Sequence, residues 1–220
     1  IEAKNEKAKT VNEIVNRTLK EGNDAFGAKN YDVAIVKYTE GIDADPEFVG
    51  SAPVLLNNRG ASYTARGTDT FNKNIKSPDA AVRAEAKTNA KQDFASAAES
   101  YMRSFEVITK APAADIADPK NAEALKYTAL RGAKEVGRLS VLIEQVDDKV
   151  IDVEKVLIPE YIKIETDPAK KAEATMVLAD LYRVAGDSEN AIAGYRTILD
   201  SSPDNVDALA GAGFSLVNLG

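Results

Sequence analysis

The chain contains neither cysteine nor histidine. Without cysteine there are no disulfides and no thiol chemistry; a cytoplasmic and an exported location both remain open, and the absence leans towards export. Without histidine the commonest general base and the commonest metal ligand are missing together, so enzyme readings weaken. What remains for catalysis is paired carboxylates such as Asp43 with Asp45 or Asp147 with Asp148. These read as helix caps and solvated ends, and none has calcium-loop spacing, so no catalytic residue, metal or cofactor is expected. Positive charge is also short: 28 Lys and Arg stand against 35 Asp and Glu, for a net charge of -7. Nucleic acid is therefore excluded as a partner, because phosphate binding needs an excess of clustered cations. No apolar run reaches the roughly 18 residues of a membrane span, and Ile1 to Lys9 is too charged for a signal peptide. What the chain does have is 44% hydrophobic and 29% charged residues over 220 positions, enough to bury a sizeable core without staples.

The clearest pattern runs from Ala172 to Pro203. Leu178, Ala179 and Tyr182 have the three- and four-residue spacing of a buried helical stripe. Gly186 is placed to end that helix in the left-handed conformation, and Asp187 to cap the next. The second helix carries the stripe Ala191, Tyr195 and Ile198, with Ala191 small enough for close approach, and Pro203 ends it. Together they predict an antiparallel helical hairpin. Asp204 and Asn205 then cap a further helix, 206–220, which stops at Gly220 where a turn is due. Because the chain also begins at Ile1 without methionine, a fragment of something longer is expected.

This hairpin resembles a tetratricopeptide repeat, a 34-residue helix-turn-helix unit in which small and large residues alternate in this order. The resemblance implies an all-α fold, an α-solenoid whose stacked hairpins form a right-handed superhelix. Repeat 1 spans about 15–48, with Gly22 for close approach, Asn30 as cap, Ala34 and Tyr38 as buried stripe, and Asp45-Pro46 as its end. The lead-in Ile1 to Val15, with Ala8, Val11 and Val15 on one face, either lengthens the first helix or is a frayed lead-in or linker. Repeat 2 spans about 53–110, with Leu56, Gly60 and Tyr63 as stripe and Gly67 as stop, interrupted by an insertion at 68–92. Ser77 as cap and Pro78 as first residue predict one long helix to Thr109, its early turns a solvated spur in preference to a docking arm for a partner. Lys110 to Asp118 reads as a loop. An irregular hairpin at about 120–166 follows, restarted by Asp118-Pro119, turning at Asp147-Asp148 and kinked at Pro159. Repeat 4 covers about 168–203, and the half repeat 206–220 completes four hairpins and a trailing helix.

The resemblance implies a non-catalytic protein-interaction module, with a peptide or a partner helix held in a concave groove lined by the first helix of each repeat. A sharper form is the two-carboxylate clamp of co-chaperone members, which grips an acidic free C-terminus through converging amide and cationic donors. Asn23 matches the first asparagine of that pattern, Asn58 before Arg59 the second, and Lys134 with Arg138 the third-repeat pair. Leu19 stands where the first lysine belongs. Each of these residues also has an ordinary reading, the asparagines as helix-helix hydrogen bonders and the cations as an exposed face. Phe26 is expected in the core, and Phe214 to be exposed. The alternatives are a structural spacer of a larger protein and self-association through the open last helix.

Overall fold

The computed structural model describes residues 2–219, without the side chains of 2–5, 7 and 8. Ile1, Gly220 and the predicted facing of Ala8 lie outside the described residues. Among these, the chain forms nine α-helices and no strand. They are α1 (Glu2–Gly27), α2 (Tyr31–Ala44), α3 (Ala52–Asn74), α4 (Ala80–Lys110), α5 (Pro119–Leu142), α6 (Asp148–Ile164), α7 (Pro168–Val184), α8 (Ser188–Ser201) and α9 (Val206–Leu219), with a 3-10 turn at Ala113–Asp115. None of these helices is long and apolar enough to cross a membrane.

Among the described residues, each helix packs only against helices one or two places away in the chain. The odd-numbered helices touch in succession, α1 to α3 to α5 to α7 to α9, and each even-numbered helix lies against both of its chain neighbours. The largest core cluster runs from α3 to α7 around Phe94, Leu130, Leu157, Ile158 and Leu181, flanked by a cluster around Tyr38 and Leu55 and another around Tyr195.

A small-to-large step recurs in the even-numbered helices. In α2, α4 and α8 an alanine with no exposed surface precedes a buried tyrosine by four residues: Ala34 and Tyr38, Ala97 and Tyr101, Ala191 and Tyr195. Each tyrosine ring occupies the space that a glycine of an odd-numbered helix leaves open. A side chain at Gly22 would collide with Tyr38, at Gly60 or Gly132 with Tyr101, and at Gly211 with Tyr195. The alanine brings the helix axes together and the ring fills the remaining volume, which is how interiors reach crystal-like density.

Local signals explain most helix ends. Asp118, Asp147, Asp167 and Asp187 each accept a hydrogen bond from a backbone N–H of the helix they precede, and Asn205 does the same for Ala208. Gly186 has φ +80, with its N–H bonded to the Arg183 carbonyl and that of Asp187 to the Tyr182 carbonyl. This double closure is a glycine C-cap. The lead-in joins α1 as one helix, and α6 continues through Pro159.

Five local expectations are corrected. Gly67 does not stop α3, which continues to Asn74; a Cβ there would lie 3.0 Å from Asp93 and from the Phe94 ring, so this glycine serves close approach to α4. The cap of α4 is Asp79 and not Ser77, because the Asp79 carboxylate accepts the Ala81 N–H at 2.8 Å while Ser77 Oγ accepts from Asp79. The early turns of α4 are no solvated spur: Ala86 and Ala90 are buried, and Lys87 and Lys91 pair with Glu144 and Asp147 of the α5–α6 turn. Asn30 precedes α2 without a side-chain cap bond, the turn there being closed by Lys29 at φ 59. In α7 the buried residues are Ala174, Val177, Ala179 and Leu181; Ala179 is buried as expected, but Leu178 and Tyr182 are only half-buried, because this helix packs on α5, α6 and α8 at once.

Candidate functional site

Two adjoining hollows lie between α3 and α5, of about 490 and 390 Å³. They share Thr64, Tyr101 and Glu135. The α3 wall carries the small residues Ala61, Thr64, Ala65 and Thr68 on one face, followed by Asp69 and Asn72. The α5 wall is charged, with Arg131 in one hollow, Arg138 in the other and Glu135 in both. Tyr101 reaches the floor from α4 between Gly60 and Gly132, which have no side chain to block it. Burial raises its phenol to about 12, and both Arg131 and Glu135 act on it electrostatically. At pH 7 the hydroxyl is therefore a neutral hydrogen-bonding group.

Asn23 and Asn58 come together. The Asn23 side-chain oxygen accepts the Tyr38 phenol at 2.8 Å and the Asn58 amide at 3.2 Å, so it holds α1, α2 and α3 to one another. Arg59 turns away from Asn58 towards α2 and α4, donating to Ser100 Oγ at 3.1 Å. Lys134 is buried; its Nζ lies 2.9 Å from Glu173 of α7 and 5.7 Å from the centre of the Tyr161 ring. Arg138 is exposed and makes a two-pronged bond to Glu135 at 2.9 and 2.7 Å. The two asparagines thus form one unit and the two cations two others, each already engaged within the chain. Phe26, expected in the core, is 37% exposed and meets Tyr31 edge-on at 5.6 Å, at the rim of the larger hollow. Phe214 is 66% exposed on α9.

Sequence reasoning missed Arg131, Thr64 and Thr68. The signal for Arg131 was present, since it precedes Arg138 by two helical turns and shares its side of α5. Asn57 was also missed: it is buried, and its amide donates to the Leu125 carbonyl at 3.0 Å, tying α3 to α5 beside the hollows. Pro53, Asn57, Gly60 and Thr64 form its helical stripe, and an asparagine on a buried stripe marks a contact with a neighbouring backbone.

A second buried network lies next to Lys134. Glu165, the C-cap of α6, accepts the Tyr127 and Tyr161 phenols at 2.8 and 2.7 Å and the N–H groups of Thr166 and Asp167 at 2.8 and 3.0 Å. Four donors hold this carboxyl down to about 2, the Asp167 N–H contributing most. The network ties the α6–α7 connection to α5 through Tyr127, and Lys134 of α5 reaches the Tyr161 ring and Glu173 of α7 beside it. No protein-family model matches the sequence, and comparison with curated proteins gives no match.

Proposed function

We propose that this chain is a non-catalytic interaction module of the tetratricopeptide kind, a right-handed solenoid that holds an extended peptide or a partner helix along the inner faces of its odd-numbered helices. The observation that carries the reading is the packing order: each described helix touches only neighbours one or two places away, with a buried alanine-tyrosine step recurring in α2, α4 and α8. Such an array has extended surface and no deep dry cavity, which suits binding over bond-making. The small α3 wall leaves room for a backbone, and the absence of histidine and cysteine removes the usual catalytic groups. The free-carboxylate clamp is the weaker form of this reading, because Leu19 replaces its first lysine and its four matching residues are engaged with one another, with Glu135 and with Glu173.

The test is selection of displayed random peptides on the immobilised chain, with Ala61→Arg as a plugged control. Peptides retained by the native chain and lost from the control support the reading. A set indifferent to Ala61→Arg, or no retained peptide, would count against it. Self-association is a second reading, favoured by Val206, Leu209, Leu216 and Val217, all exposed on α9. Light scattering over a concentration series, with Leu216→Glu as control, decides it.

A further inference from the structure

We infer that the α3–α5 cleft takes an extended segment of its partner that carries a single internal Asp or Glu, whose side chain sits on Arg131; this rests on the peptide-binding reading above. The argument is one of charge. In the cleft and beside it, Asp69 is paired with Lys73, Lys134 with Glu173 and Arg138 with Glu135. Arg131 alone among the charged residues lining the two hollows has, among the described residues, no carboxylate within ion-pair distance. Its guanidinium lies near enough to the Tyr101 phenol to act on its ionisation, so a carboxylate placed there meets a two-pronged cation with a neutral hydroxyl close by. Charge-assisted bonds of this geometry are the strong ones. In a protein of net charge -7 the overall field repels a strongly acidic molecule, so an unpaired arginine over the cleft floor suits a segment with one carboxylate and not a run of them.

Geometry also favours a side chain over a chain terminus. A terminal carboxylate needs several donors converging on one point. Here the Asn23 oxygen and the Asn58 amide are bonded to each other, and Lys134 is buried against Glu173. Arg131 supplies one anchoring point midway along α5, opposite Thr64, and the adjoining hollow with Ala61, Ala65 and Thr68 leaves room for the backbone that continues from it. One charged residue flanked by small or apolar ones is the segment that fits.

The experiment uses the 220-residue chain on a surface and matched pools of short random peptides. Two pools are acetylated and amidated, with Glu or Gln fixed at the centre; a third has central Gln and a free C-terminus. The expected result is about ten-fold greater retention of the capped Glu pool over the capped Gln pool. Arg131→Gln should erase that preference and Arg131→Lys restore part of it. Arg131 is exposed and unpaired, so these variants fold. Equal retention of both capped pools, or a preference that survives Arg131→Gln, overturns the inference. A preference for the free C-terminus that disappears in Arg138→Ala also overturns it, in favour of a terminal clamp. If both capped pools are retained equally and Ala61→Arg releases both, the peptide-binding reading stands and only the carboxylate assignment fails. If Ala61→Arg changes nothing or no pool is retained, both fail together.

Discussion

Glu154 and Glu165, one inside α6 and the other its C-cap, are buried in opposite chemical circumstances. Glu154 has no exposed surface, and neither carboxyl oxygen has a hydrogen-bond partner. It faces Gly137 of α5 and shares that site with Val177 and Leu181 of α7. Burial, unopposed by any nearby charge, pushes its carboxyl well above the ordinary 4.5. The folded chain therefore keeps a proton that the unfolded chain releases, and stability falls as pH rises from about 4.5 towards the raised value. Replacing the orphan by a similar-sized apolar group, Glu154→Met, should stabilise by about 1–3 kcal/mol at neutral pH. The gain should shrink towards pH 4, and urea titrations at several pH values read it. Equal gains at acid and neutral pH would mean that the carboxyl does not titrate between the two. Glu165 has the reverse sign: its carboxyl is held near 2, so its contribution is full above about 4.5 and is lost as pH falls towards 2. In acid titrations, Glu165→Gln should be less stable than the native chain at neutral pH and converge with it only as pH falls towards about 2. Neither residue was legible in the sequence, where both look like ordinary surface glutamates of a helical repeat. Their roles come from the packing of α5 and α7 over α6, which the spacing of residues along α6 does not reveal.

At the scale of the element, the turns and the insertion separate what sequence can show from what it cannot. The α7–α8 turn was legible because it uses Gly186 for its left-handed residue. The α1–α2 and α5–α6 turns place Lys29 and Glu144 in the same conformation, at φ 59 and φ 56, where nothing in the side chain announces it. Lys29→Gly should therefore stabilise by about 1 kcal/mol, and Gly186→Ala destabilise by a similar amount, both measurable as shifts in thermal midpoint. Gly67 misled for the complementary reason, since a glycine that permits close packing is identical in sequence to one that stops a helix. The inserted stretch was legible as helix from its uninterrupted run but not as packed. Its contacts are alanines, which read as solvated among Lys, Arg and Glu. Ala90 has no exposed surface, so Ala90→Leu should overpack the joint and cost about 1–3 kcal/mol. A change within about 0.5 kcal/mol would restore the picture of a free spur.

Over the whole molecule, the order of helices was legible because the alanine-tyrosine stripe and its aspartate caps recur along the chain. The occupant of the α3–α5 hollows was not, because those landmarks are consumed by packing and say nothing of a ligand. The packing order has a physical consequence of its own. With every contact confined to helices one or two places apart, the ends of the chain are coupled only through the series of interfaces between them. Tyr195 is fully buried, bonded through its hydroxyl to Asp180 of α7 at 2.7 Å and seated over Gly211 of α9. Tyr195→Ala should cost its own neighbourhood about 3–5 kcal/mol. In native-state hydrogen exchange, amides of α8, α9 and the second half of α7 should lose protection by the corresponding factor. Those of α2 and α3, which share no contact with these helices, should keep theirs. A uniform loss across all helices would show a single cooperative unit instead, and with it a coupling that passes through α5 and α6 without attenuation.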